Sequence, residues 1–216
     1  MRFKQYLQEE SKFDLEKFKK DCSFILGELK GTGGSALMLR GSKDKNPDFE
    51  IAKWVPRDGP RNTPIAAHRA FNELFDKKFG VKARDWMFAT GRHDSAEIYS
   101  GLTGPNIIFP IGKFEWLSCT DINDRFYDLT VALSKEREYI KNRDVSRSFS
   151  YDEIIELATK YLVKQLDEVS WTFNTDLVKC INYGAEIMFK CERYYAFNQS
   201  GDVWNSEEMR QLMESL

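Results

Sequence analysis

The chain has 216 residues and a formal net charge of −2 at pH 7, with 31% charged residues. It therefore lacks the excess of positive charge that would predict binding to nucleic acid or to an anionic membrane. A hydrophobic content of 42% predicts a folded globular chain, and no apolar run reaches the roughly 18 residues that a membrane-spanning helix needs. The four cysteines lack Cys-x-x-Cys spacing and residues 1–10 lack an apolar signal core, which predicts a cytoplasmic protein with reduced thiols and no zinc site.

The first third of the chain predicts a helix, a short strand and a long loop. An apolar residue recurs every three or four positions within 12–30, which predicts a helix; these residues are Leu15, Phe18, Cys22, Ile25 and Leu29. After the glycines at 31–34, residues 36–39 predict a buried strand that ends on Arg40 and Gly41. Residues 43–62 are polar and contain three prolines, which predicts a long loop.

The middle of the chain predicts a helix followed by three strands. Thr63-Pro64 is a typical helix start, and the helix that follows carries His68 on its apolar side, which favours a core histidine over a ligand. Strands are predicted over 86–89, 106–109 and 113–118, with a small helix over 94–99. The basic residues Lys77, Lys78, Lys82 and Arg84 predict a solvated face near the end of the first of these helices.

The last part predicts mainly helices and then one strand. Residues 122–141 have helical periodicity, Ser150 and Glu153 form a capping box for a helix to 166, and a short helix is predicted over 175–181. Residues 186–197 predict one continuous strand. We therefore expect a single α+β domain over 1–216, with a helical insertion at about 122–181. Asp121, Asp124 and Asp128 suit a helix start better than a metal site, and no metal is predicted.

Three short motifs in separate parts of the chain indicate more as a set than each does alone. Leu39-Arg40-Gly41 ends a strand, Phe88-Ala89-Thr90-Gly91 precedes Ala96 and Tyr99 in a strand, turn and helix, and Glu186-Ile187-Met188-Phe189 opens a late strand. In this order they resemble the motifs of the ADP-ribosyltransferase superfamily, in the branch that carries an Arg–Ser/Thr–Glu triad. The first ten residues of the chain and the general character of its sequence also resemble small tailed-phage proteins.

The resemblance implies a fold, a cosubstrate and a set of site residues. The fold would be α+β, with split mixed or antiparallel sheets flanked by helices, and the substrate would be NAD. Arg40, Thr90 and Glu186 would be catalytic, and Arg40, Gly41, Phe88, Thr90 and Tyr99 would bind NAD. The acceptor would be a macromolecule, namely a host protein in the host cytoplasm if the chain is phage-encoded; a nucleic-acid acceptor stays open but is not indicated.

The residue types of this triad suit the chemistry of NAD cleavage. Departure of nicotinamide passes through an oxocarbenium-like ribosyl cation, as glycoside cleavage does. An arginine can bind the pyrophosphate with two hydrogen bonds, a hydroxyl can brace the site, and a carboxylate can stabilise the developing positive charge. Tyr99 could stack on the nicotinamide ring.

Two departures from the family pattern leave a second interpretation open. Ala89 and Gly91 flank Thr90 in place of the serine of the middle motif, and Gly184 takes the position two before Glu186, where arginine-modifying members carry Glu or Gln. The alternative is a non-catalytic binding or inhibitor protein that keeps the fold and uses the insertion as an interaction surface.

Overall fold

The structure is a computed structural model that describes residues 13–41, 48–55, 65–101, 104–119 and 150–216. The helices of these ranges are α1 (Leu15–Asp21), α2 (Ser23–Glu28), α3 (Ile65–Phe79), α4 (His93–Glu97), α5 (Tyr151–Glu168), α6 (Leu177–Tyr183) and α7 (Glu207–Glu214), with a 3₁₀ turn at Ala83–Asp85. The strands are β1 (Leu39–Arg40), β2 (Phe49–Lys53), β3 (Met87–Thr90), β4 (Asn106–Pro110), β5 (Glu115–Ser118), β6 (Thr172–Phe173), β7 (Glu186–Lys190) and β8 (Arg193–Asn198).

The eight strands form one sheet in the order β2-β8-β4-β1-β3-β7-β5-β6. Every pairing between neighbours in this order is antiparallel. The α+β class expected from the sequence is therefore confirmed, and the described strands follow one continuous order of pairing.

The connection between β7 and β8 requires this sheet to bend sharply. Only Cys191 and Glu192 separate the two strands in the chain, so the connection spans at most about 10 Å. In a flat sheet the strands β4, β1 and β3 between them would hold β7 and β8 about 19 Å apart. The neighbouring strands with the fewest register pairs are β1 and β3, which share the single pair Leu39↔Thr90. The pairing thus divides into the halves β2-β8-β4-β1 and β3-β7-β5-β6.

Two hydrophobic clusters cover the sheet. The larger one combines residues of both halves with α1, α2, α6 and α7; in it the Phe18 ring lies edge-on to Phe109 and Tyr195, at 5.1 Å from each ring centre. The smaller one packs α3 and α5 on β5 and β7 through Phe75, Leu166 and Met188. The half β3-β7-β5-β6 is therefore covered by α3 on the face from which the Met188 side chain projects.

The first predicted helix is confirmed in its packing and corrected in its continuity. Its apolar residues Phe18, Cys22, Ile25 and Leu29 are all buried, and the Asp14 side chain caps its start by accepting from the Lys17 N–H. The helix is nevertheless broken into α1 and α2 at Cys22, where φ is −100° and ψ is 13°. Cys22 is fully buried and its thiol lies 3.8 Å from the Phe109 carbonyl oxygen, so contact with β4 coincides with the break.

The prediction of one loop over 43–62 is wrong where β2 runs. β2 is an edge strand whose residues are mostly exposed, so it lacks the apolar alternation that marks a strand. Five backbone register pairs with β8, from Phe49↔Phe197 to Lys53↔Arg193, hold it in the sheet. The rest of the predicted loop lies outside the described residues except for 48, 54 and 55, as does the predicted helix start Thr63-Pro64.

The insertion is only partly helical. The capping box of Ser150 and Glu153 is confirmed at the start of α5, and α6 confirms the short helix predicted near 175–181. Between them, however, β6 pairs with β5 through Leu117↔Phe173 and Ser118↔Thr172, so the predicted helical insertion also contains a strand that the sequence did not predict. The predicted helix over 122–141 and the three aspartates near its start lie outside the described residues.

The prediction of a continuous strand over 186–197 is also wrong. The chain turns at Cys191 and Glu192, and β7 and β8 enter different halves of the sheet. The middle of each strand is buried, and the charged residues Lys190, Glu192 and Arg193 surround the turn, a polar interruption that the prediction of one strand passes over. Within the described ranges, no helix is both long enough and apolar enough to cross a bilayer.

Candidate functional site

The three residues singled out by the motifs lie on three adjacent strands. Leu39, the neighbour of Arg40, is in register with Thr90, and Thr90 is in register with Glu186. Two strand spacings amount to about 10 Å, so the fold brings the backbones of residues that are 50 and 96 positions apart in the chain close together across the sheet. They meet at the single register pair that links the two halves of the sheet.

The Thr90 hydroxyl forms hydrogen bonds with the backbone of two turns at this junction. It donates a hydrogen bond to the Gly184 carbonyl at 3.2 Å and accepts one from the Arg92 N–H at 3.2 Å. The first bond reaches the segment just before β7, and the second closes the turn between β3 and α4. Thr90 thus fixes the backbone on both sides of the strand end from which it projects.

Arg40 lies at the end of β1 with its guanidinium close to β3. Its Nη1 donates to the Phe88 carbonyl oxygen at 3.4 Å. Its positive charge also reaches the segment after β7: burial raises the pKa of Cys191 to about 12 and raises the pKa of Tyr194, and the charge of Arg40 partly offsets both shifts. Arg40 therefore supplies a half-buried cation between β3 and the start of β8.

Glu186 forms an ion pair that the sequence did not predict. Arg84 Nη1 lies 3.1 Å from Glu186 Oε1, and the exposed fractions of the two side chains are 10% and 23%. The Arg84 guanidinium also lies over the Phe88 ring, 4.6 Å from its centre. The prediction that Arg84 belongs to a solvated basic face is thus wrong, because the 3₁₀ turn directs this side chain inward against β3 and β7.

A polar network on α3 holds the turn that carries Arg84. The Asn72 amide oxygen accepts from the Arg84 backbone N–H at 2.9 Å, and the Asn72 amide nitrogen donates to Asp85 at 2.9 Å. His68 Nε2 lies 2.8 Å from the same Asp85 oxygen. His68 is therefore a satisfied core histidine, as predicted, and it supports the turn beside Glu186.

Two glycines allow close backbone contact around the strand ends. A Cβ placed on Gly41 would lie 2.6 Å from the Cβ of Tyr99, and one on Gly91 would lie 1.8 Å from the Ile181 carbonyl oxygen. The end of β1 therefore rests directly on the residues after α4, and the turn after β3 rests directly on α6. Tyr99 itself is 44% exposed and borders the end of β1.

Gly184 ends α6 in the left-handed conformation, with φ +76°, which a glycine adopts at no steric cost. A Cβ at this position would lie 2.1 Å from Cγ of Arg92, whose side chain covers it. The Arg92 guanidinium pairs in turn with Asp94 at 3.0 Å and lowers the pKa of that carboxyl to about 2. The position two before Glu186 is thus a helix cap beneath a basic side chain.

A cavity of about 500 Å³ lies elsewhere, at the opposite end of β7. Trp54, Phe114 and Cys191 contribute to its walls together with charged side chains of β5 and β7, and none of the predicted site residues does. Among the described residues, no group of His, Cys, Asp and Glu side chains could hold a metal ion.

Comparison with known proteins adds no relative. No family model, no curated protein and no solved structure matches this chain.

Proposed function

We propose that this chain is an NAD-dependent ADP-ribosyltransferase that modifies a macromolecular acceptor, with a host protein as the expected acceptor. Arg40 would bind the pyrophosphate of NAD, Thr90 would brace the pocket wall, and Glu186 would stabilise the ribosyl cation that forms as nicotinamide leaves. Gly41, Phe88 and Tyr99 would border the bound dinucleotide. A cytoplasmic location remains a prediction.

The observation that carries this proposal is the register Leu39↔Thr90↔Glu186. Motifs so far apart in the chain need not fold onto adjacent strands, yet Thr90 is paired both with Glu186 and with Leu39, the neighbour of Arg40. A cation, a hydroxyl and a carboxylate carried by three adjacent strands suit a substrate that has a pyrophosphate and develops positive charge at a ribose carbon.

The glycines that depart from the family pattern have structural reasons here. Ile181 leaves no room for a side chain at Gly91, and the left-handed backbone and Arg92 leave none at Gly184. These departures therefore do not by themselves argue for a lost activity. Gly184 also offers no carboxylate or amide to bind an arginine acceptor, which favours an acceptor group other than a guanidinium.

The test is release of nicotinamide from NAD by the purified chain, followed by mass spectrometry of a lysate incubated with labelled NAD. Because Glu186 acts on the transition state, Glu186→Gln should lower turnover by about 10²-fold, roughly 2.7 kcal/mol, and change NAD binding little. Glu192→Gln is the matched control: Glu192 lies beyond the other end of β7, next to the remote cavity.

Two results would contradict the proposal. One is loss of turnover in Glu192→Gln as large as that in Glu186→Gln, with both variants folded. The other is capture of the same partner by the natural chain and by Glu186→Gln while neither consumes NAD, which would favour the non-catalytic binding or inhibitor protein.

A further inference from the structure

We propose that Arg84 is the positioning residue of this site, which holds the Glu186 carboxylate in place for the transfer step. The inference rests on the proposed function, because it assigns Arg84 a role that is exerted only through Glu186. Nothing in the sequence motifs includes Arg84, and the assignment comes from the geometry around β3 and β7.

The contacts of Arg84 restrict both its own side chain and that of Glu186. The guanidinium is 10% exposed and lies 3.1 Å from the carboxylate, with the rings of Phe88 and Phe71 at 4.6 and 5.9 Å on its apolar sides. A planar guanidinium held by aromatic rings presents its N–H groups in a fixed direction. A carboxylate bonded to it therefore loses rotational freedom that a solvated glutamate would keep.

The backbone of Arg84 is also fixed, through α3. Asn72 accepts from the Arg84 N–H, and Asn72 and His68 both bond to Asp85, the next residue. The side chains of Asn72 and His68 are themselves buried. Arg84 is thus anchored at its backbone by one helix and at its side chain by β3, which is the arrangement that precise placement of a second side chain requires.

Placement of this carboxylate matters because of the bonds that change. The bond between the ribose C1′ and the nicotinamide nitrogen breaks, and its electron pair leaves with nicotinamide. The acceptor then forms a bond to C1′ and gives up its proton to solvent. Between the two events C1′ carries positive charge, and a misplacement of about 1 Å in a stabilising group can cost about 10²-fold in rate.

The experiment measures nicotinamide release by Arg84→Met, by Arg84→Lys and by Arg84→Met in the Glu186→Gln background. We expect Arg84→Met to lower kcat roughly 10- to 100-fold. The KM for NAD should stay unchanged within about twofold, because the substitution does not remove a contact that binds NAD in the ground state. Arg84→Lys should recover part of kcat, since it keeps the charge without the planar fork. In the Glu186→Gln background the Arg84→Met change should have no further effect, as expected for residues that act as one unit.

Lys82→Met is the matched control, because Lys82 precedes the same 3₁₀ turn and is exposed; its kcat should equal that of the natural chain. If Arg84→Met does not fold, Arg84→Lys carries the test, and a natural kcat in that variant would overturn the inference. A higher kcat in Arg84→Met, or losses that multiply with those of Glu186→Gln, would overturn it too. A natural chain that releases no nicotinamide would instead refute the proposed function itself.

Discussion

Replacement of Gly91 by alanine should destabilise the protein strongly, because the new Cβ would meet backbone and not a movable side chain. It would lie 1.8 Å from the Ile181 carbonyl oxygen and 2.5 Å from the carbonyl carbon. Relief requires α6 and the turn after β3 to separate by about 1.5 Å, and overpacking of this kind costs about 1–3 kcal/mol. We expect the upper end, which for a chain of this size lowers Tm by roughly 6–12 °C.

Urea unfolding followed by far-ultraviolet circular dichroism measures this loss, and Gly27→Ala provides a control of opposite sign. Gly27 lies within α2, and a Cβ there would meet nothing within 4 Å. Alanine should therefore stabilise the helix by about 0.5–1 kcal/mol. A Gly91→Ala variant as stable as the natural protein would refute the close contact between the β3 turn and α6.

Three further outcomes are expected. Arg40→Ala should weaken NAD binding by roughly 10- to 150-fold in calorimetry, the range for a lost charge-assisted hydrogen bond; unchanged affinity would remove Arg40 from the site. The pKa of Asp21 is lowered, first by a hydrogen bond from Lys17 and also by one from the Tyr195 hydroxyl. The free energy of unfolding of the natural protein should therefore exceed that of Asp21→Asn at neutral pH, and the difference should shrink as the pH falls below about 4; in urea titrations at several pH values, a constant difference would contradict this. All four cysteines are buried, so a thiol reagent should modify them only as the protein unfolds, and rapid labelling of the native protein would contradict that packing.

Much of the fold could be predicted because local pattern and packing agree. The spacing of Phe18, Ile25 and Leu29 predicts one buried helical face, and all three residues are buried. Ser150 and Glu153 predict a helix start that the structure confirms. The positions of Arg40, Thr90 and Glu186 at strand ends could also be predicted, because each follows or precedes a short apolar run.

The remainder depends on contacts between distant parts of the chain. The pairing of β2 with β8 has no local signature. The charged residues Lys190, Glu192 and Arg193 mark a break within 186–197, but they do not indicate which half of the sheet each strand joins. The three lysines that precede Arg84 predict a solvated side chain, whereas its inward direction is set by α3 and β7. The one available signal is its position two residues before Trp86, where the sequence predicts that a strand begins.

The measurement that tests the central claim most directly is a titration of the purified chain with NAD, by calorimetry and by thermal shift. If the ends of β1, β3 and β7 form one dinucleotide site, the chain should bind one NAD and its Tm should rise with NAD concentration, because a ligand far above its Kd must stabilise the folded state. Neither heat of binding nor stabilisation at millimolar NAD would contradict the claim that these three strand ends form an NAD site.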